Sequence, residues 1–272
     1  MSGDPGRPVG LQLWTVRERC ATDFAGTMEA VAALGLAGVE HVDSLRYGGL
    51  PVAEVRRRCD ALGLAAAGLH VELDVLEDDL DRVLSDGAEL GTDRIVCSWV
   101  RAERRADADA YREMAGSLEG IGERCRAAGR RLLYHHHDFE LAPLGDGHGH
   151  GLEILRDGTT RELVGFELDV YWLAVAGHDP VEHLRAAGAR APLVHLKDVA
   201  AEADAAFPHG DGLADRNTEV GTGILDLPAI LAASAATAEW YLVEQDFCRA
   251  DPLESARISL QNLRAMQTAA PG

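Results

Sequence analysis

The stretch "VGLQLWTVRERC", Val9 to Cys20, decides between two folds. Its first half is a short apolar run that predicts a strand. "TMEAVAALGLAG" (Thr27 to Gly38) then shows helical spacing and ends in glycines suited to a C-cap. A strand followed by a helix can open a doubly wound sheet or a closed (β/α)8 barrel. The doubly wound sheet usually carries a glycine-rich phosphate turn after its first strand, and "QLWTVRERC" contains no glycine. The barrel is therefore favoured, with no nucleotide cofactor.

The same unit recurs along the chain. Short runs at "GVEHV", "LAAAGLHV", "DRIVCSW", "RRLLYHHH", "LVGFELD", "PLVHLKD" and "EWYLVEQD" alternate with amphipathic segments such as "PVAEVRRRCDALG" and "ADAYREMAGSLEGIGERCRAAG". About eight such units joined by short loops require parallel strands with helices outside, and predict a single (β/α)8 TIM barrel. No linker, low-complexity tract or charge block divides the chain. It reads as one domain over residues 1–272, with 1–8 as a flexible N-terminal extension.

Composition narrows the partners. The 272 residues are 47% hydrophobic, enough for a sizeable core, and the net charge is −19. A surface of that sign repels phosphate, which argues against nucleic acid and anionic membrane and for a small polar substrate. The chain has five cysteines with no C-x-x-C pair and no apolar run of the ~18 residues a membrane span needs. A reducing cytoplasm is expected. Lysine occurs once, at Lys197.

In a barrel the chemistry sits at the C-terminal strand ends. Those ends read His70 and Glu72, Trp99, then His135, His137 and Glu140, then Glu167 and Asp169, then His195, Lys197 and Asp198, then Glu244 and Asp246. Residues two apart share a face, so four late strands each present a pair to the mouth. A lone strand-end His or Asp more often caps a loop; it is the repetition that composes a metal site. Nitrogen and oxygen donors without thiolate suit an open site for Mn²⁺, Co²⁺, Fe²⁺ or Zn²⁺. Trp14, Trp99 and Trp172 are placed to wall a substrate pocket, though core packing explains them equally well. Arg216 lies in a glycine-rich stretch, His209 to Gly223, that is suited to closing over substrate. "GDGHGHG", Gly145 to Gly151, reads as a solvated loop.

The segments "GLQLWTVRE", "YHHHDFEL", "GFELDVYWLAVAGHDP", "VHLKDV", "EVGTGILDLPAIL" and "YLVEQD" together resemble the sugar phosphate isomerase/epimerase family, the xylose isomerase-like barrels, over nearly the whole chain. The triple histidine and the "HLKD" and "EQD" endings are most similar to the inosose dehydratase branch. The resemblance implies one divalent metal held by Asp169, His195 and Glu244. The fourth position, usually a glutamate ending the fifth strand, falls here on the histidine run. Glu140 is favoured as that ligand or as a base, with His135 the alternative ligand and His137 beside it, while His136 is expected to face outward. Endonuclease IV shares the fold, but the histidine expected beyond Asp169 for its further metals reads Trp172.

The activity implied is isomerisation, epimerisation or dehydration of a keto-sugar or keto-cyclitol through a metal-stabilised enediolate. Glu140 or Glu244 serves as base and His137 or Lys197 as acid, with His70, the tryptophans and Arg216 on the substrate. A homodimer is the usual assembly of such barrels. The competing reading is a barrel that binds a sugar or cyclitol without turnover, or a partner subunit, and the altered fifth strand keeps it open.

Overall fold

The computed structural model describes residues 6–145, 147–201 and 216–269. Eight parallel strands close on themselves: β1 Val9–Gln12, β2 Gly38–Val42, β3 Ala65–Glu72, β4 Arg94–Trp99, β5 Arg131–His135, β6 Val164–Asp169, β7 Leu193–Leu196 and β8 Trp240–Val243. Closure is made by β1 against β8, where Val9, Gly10 and Leu11 stand opposite Tyr241, Leu242 and Val243. The chain is a TIM barrel, as the alternation of runs predicts.

Each strand leads to an outer helix: α1 Phe24–Ala33, α2 Val52–Leu62, α3 Leu80–Leu90, α4 Ala108–Ala127, α5 Gly151–Gly158, α6 Pro180–Ala187, α7 Leu227–Ser234 and α8 Pro252–Ala269. Their ends follow local chemistry. α2 and α3 stop at Gly63 and Gly91, whose left-handed backbone (φ 71° and 82°) any side chain would strain. α6 starts at Pro180 behind Asp179, which accepts a bond from Val181 N at 2.8 Å. Buried Val, Leu and aromatic side chains between strands and helices form the main core.

Three features were not read from the sequence. Helices Leu73–Asp78 and Val170–Val175 follow β3 and β6 directly, and Asp198–Val199 pairs antiparallel with Asn217–Thr218 beyond β7. Of the expected N-terminal extension, residues 1–5 lie outside the described residues. Arg7 is anchored through Nη2 to Ala235 O (2.8 Å), and the Pro8 carbonyl accepts from Tyr241 N. Among the described residues no helix is long and apolar enough to cross a membrane.

The opposite rim of the barrel is tied by ions. Glu239, just before β8, accepts two bonds from Arg131 (2.7 and 2.8 Å) at the start of β5 and is paired with Arg94 at the start of β4. The Arg131 hydrogen bonds, working against burial and joined by Arg94, hold the Glu239 carboxyl down at about 2. A depressed acid stabilises the fold above its unfolded pKa and loses that contribution as pH falls towards the folded value. Glu239→Gln is expected to lower stability near neutrality by about 1 kcal/mol, because the half-exposed group is screened by water. The gap to wild type in urea melts should shrink as pH drops from 4.5 towards 2.

Candidate active site

Strand alternation stacks the inward side chains by height. Ala67, Val96, Leu133, Leu193 and Leu242 form an apolar floor inside the barrel. Two residues further along β5, β7 and β8 the same face carries His135, His195 and Glu244. Gln12, Glu40, His70, Glu167, Asp169 and Lys197 join this layer, and all nine side chains are buried.

His195 stands at its centre. Its Nε2 lies 2.8 Å from Glu40 Oε2 and 3.1 Å from Glu167 Oε2. Its Nδ1 lies 2.8 Å from Glu244 Oε2 and 3.9 Å from Asp169 Oδ2. His70 Nε2 approaches Glu167 Oε2 at 2.6 Å and Glu40 Oε2 at 3.0 Å. His135 Nδ1 is 3.1 Å from Glu167 Oε2, yet is not aligned for a hydrogen bond and has no partner. Lys197 Nζ is gripped by Asp169 Oδ2 (3.0 Å), Glu244 Oε2 (2.8 Å) and Asp246 Oδ2 (2.8 Å).

Two overlapping donor groups result, each with atoms within 4.8 Å of one another: His70, His135, Glu167 and His195, and His135, Asp169, His195 and Glu244. Asp169 is two residues beyond Glu167 on β6, so the second group lies nearer the mouth and the first lies deeper.

Neighbouring residues fix these groups in place. Gln12 Nε2 donates to Glu40 Oε2 at 2.7 Å, and Gly68 leaves the space that Glu40 Oε1 fills. Asp169 Oδ1 accepts from Tyr171 N and Trp172 N, capping Val170–Val175, which turns Oδ2 towards Lys197. The fully buried His136 accepts the Asp169 N–H through Nε2 (3.1 Å), so its proton sits on Nδ1, beside the His137 carbonyl. Asp198 accepts from Gly221 N, Gly223 N and Leu225 N and so pins the loop after β7.

Burial and ion pairing compete throughout. Burial lowers the His70 pKa, but Glu40 and Glu167 outweigh it and raise it to about 9. The same contest, with Glu167 and Glu244, lifts His195 well above the usual imidazole range. Burial, reinforced by the charge on His195, drives His135 down to about 3, so its ring is neutral. Burial lifts Asp169 to about 6 despite Lys197.

The structure gathers His135, Asp169, His195, Lys197 and Glu244, and it leaves Glu140 out. Glu140 Oε1 accepts from Tyr134 Oη (2.6 Å) and Oε2 from His137 N (2.8 Å). Tyr134 alternates with His135 and faces away from the barrel interior, so the Glu140 carboxylate is held on the other side of β5. Burial outweighs those two bonds and raises its pKa to about 8, leaving it protonated at neutral pH. The expectation that Glu140 is a metal ligand and base is corrected: it secures the His137 backbone.

His70, expected on substrate, is instead bonded within the deep group. His137 packs among Trp99, Phe139 and Trp172. Trp14 and Trp99 are 38% and 43% exposed, while Trp172 is buried beneath Lys197 Nζ. Arg216 donates to Ala200 O (3.3 Å) beside the short antiparallel pair. Residues 202–215 of the chain, which include the first part of the expected closing loop, lie outside the described residues. His150 is buried rather than solvated: it caps α5 through Glu153 N and lies against His178.

Sequence reading missed Gln12 and Glu40 and left Glu167 without a role. A carboxylate in the middle of the five-residue apolar strand "GVEHV" was the available signal, because a buried charge requires a partner.

A family model described as a xylose isomerase-like TIM barrel matches residues 28–266. The chain belongs to the xylose isomerase-like TIM barrel family. Within that family, inosose dehydratase of Lacticaseibacillus casei is 30% identical over 161 residues, which cover 54% of this chain and 52% of that one. The chain spans about half the length of the curated relatives it matches. A sugar phosphate isomerase/epimerase from Parabacteroides distasonis superposes with a TM-score of 0.78 at 21% identity, over 97% of this chain and 96% of that one. An IolI protein with a bound zinc atom superposes with a TM-score of 0.72 at 13% identity, over 96% and 98%. At these identities the two superpositions establish the fold.

Gly68→Ala tests the seating of Glu40. A methyl group at position 68 overlaps Glu40 Oε1. The variant is expected to lose about 1–3 kcal/mol and, in a crystal structure, to show Glu40 displaced from His195. Unchanged stability with Glu40 in place would contradict this packing.

Proposed function

We propose that this barrel is a divalent-metal-dependent enzyme that moves a proton at the carbon beside the carbonyl of a keto-sugar or keto-cyclitol, acting as an isomerase, epimerase or inosose-type dehydratase. The observation that carries the reading is an excess of buried carboxylate. Glu40, Glu167, Asp169 and Glu244 are buried in one layer where, among the described residues, Lys197 is the one permanent cation and the rest of the charge falls to protons on His70 and His195 or to a bound ion. Uncompensated buried charge of this kind is costly, and a bound cation offsets it.

The donors fit a divalent ion. His135 Nδ1 is buried without a hydrogen-bond partner, and His135, Asp169, His195 and Glu244 offer imidazole and carboxylate donors in one small volume. These four residues would hold the ion. It would supply Lewis-acid stabilisation of negative charge developing on substrate oxygen.

The remaining groups handle protons and binding. Burial, with nearby His135 and Lys197, keeps the His137 pKa well below the usual range, so its ring is a neutral base at the mouth. Burial opposes ionisation of Glu244, but Lys197 and His195 hold it well below the carboxylate range as an alternative base. Either group takes the carbon-bound proton. Return of the proton to the opposite face gives epimerisation, and return to the neighbouring carbon gives isomerisation. In dehydration the leaving β-hydroxyl takes its proton from the Lys197 ammonium. The exposed faces of Trp14 and Trp99 suit the apolar side of a sugar ring.

Untagged protein should bind Mn²⁺, Co²⁺ or Zn²⁺ and wash deuterium from D₂O into a keto-sugar or inosose. His195→Ala should weaken metal binding by more than the ~10–100-fold that loss of an outer hydrogen-bond partner costs. Lys197→Met should retain the metal while slowing turnover by ~100-fold or more. If wild type takes up no divalent ion after reconstitution, the metal-dependent reading fails and a sugar-binding barrel takes its place.

A further inference from the structure

With the His70 and His195 imidazoles neutral, as metal ligands must be, one divalent ion and Lys197 leave two of the five carboxylates at the barrel mouth unmatched. Glu40, Glu167, Asp169, Glu244 and Asp246 face a single ammonium, Lys197. That ammonium touches only the outer three; Glu40 and Glu167 are out of its reach and fully buried. An ion among Asp169 and Glu244 would leave both deep carboxylates facing only the histidines and Gln12.

The deep atoms form a closed ring. Glu40 Oε2, His70 Nε2, Glu167 Oε2 and His195 Nε2 alternate with sides of 3.0, 2.6, 3.1 and 2.8 Å. With metal–donor bonds of ~2.0–2.2 Å, adjacent donors in an octahedral shell stand ~2.8–3.1 Å apart. The other oxygens, Glu40 Oε1 and Glu167 Oε1, are buried without hydrogen-bond partners. The carboxylates therefore do not spend their second oxygens on the protein, although Gln12 and Gly68 hold Glu40 in place.

We propose that Glu40, His70, Glu167 and His195 Nε2 form a second divalent-cation site beneath the Asp169 and Glu244 group. The inference rests on the metal-dependent reading above. Two carboxylates and two imidazoles neutralise a dication and suit Zn²⁺, Mn²⁺, Fe²⁺ or Co²⁺. With His195 engaged through Nε2, its Nδ1–H donates to Glu244 at 2.8 Å. His195 is thereby reassigned from the four-residue outer group to the deep ion, and His135, Asp169 and Glu244 remain for the outer one, three protein donors with open positions for substrate.

The test is metal content together with ion position. Chelator-stripped wild type reloaded with Zn²⁺ is expected to hold two ions per chain by mass spectrometry, and Glu40→Gln and His70→Asn one each. Crystals measured at the zinc absorption edge should show an anomalous peak bonded to Glu40 and Glu167. The peak in wild type decides the matter even if both variants misfold. A single peak at Asp169 and Glu244, with metal content unchanged in Glu40→Gln and His70→Asn, overturns the proposal and makes the deep ring a proton-bridged ion-pair network. Absence of zinc from wild type overturns it too, and in that case the metal-dependent reading falls with it.

Discussion

The site depends on the two-sided grip on His195. One ring nitrogen faces Glu40 from β2 and the other faces Glu244 beyond β8, each at 2.8 Å. Because the imidazole is rigid and buried, those contacts tie β7 to its neighbour β8 and, past β1, to β2. They also fix which nitrogen serves the deep carboxylates and which serves the outer ones. Glu167 and Asp169, two residues apart on β6, then meet the same ring at two heights. The barrel provides this stacking through strand alternation, which puts an apolar floor below and a polar layer above.

Such a layer is costly to build and informative once built. Buried carboxylates without compensation destabilise a fold by several kcal/mol each, so their persistence points to a cation or to shared protons. Lys197 supplies one positive charge at the outer level, where Asp169, Glu244 and Asp246 surround it. It is also the chain's only lysine, in a sequence that otherwise uses arginine for basic charge. An ammonium is a compact point charge that can give up a proton, which a guanidinium does not. That difference fits a group expected to protonate a leaving hydroxyl.

The fold was legible in the sequence because periodicity and turn residues repeat in every unit, and the absence of a glycine-rich turn after β1 set aside the open sheet. The outer residues Asp169, His195 and Glu244 were legible because they lie at strand ends. Glu140 was misread for a conformational reason: after His137 the chain turns and sends the Glu140 carboxylate back to Tyr134, which spacing alone does not reveal. Glu40 and Gln12 were missed because strand ends were read only from the third strand onward, and a mid-strand carboxylate signals a need for partners without naming those that closure brings to it. His150 looked solvated among glycines, yet helix capping buries it.

The central claim is that the buried negative charge is completed by divalent metal, and thermal unfolding of chelator-stripped protein with and without Mn²⁺ or Zn²⁺ tests it without an assay of turnover. Binding to the folded state alone adds about 4 kcal/mol at a thousandfold excess over Kd, so the account requires a melting temperature that climbs steadily with metal concentration and a smaller climb in His195→Ala. Superimposable melting curves for stripped and metal-loaded wild type would contradict it.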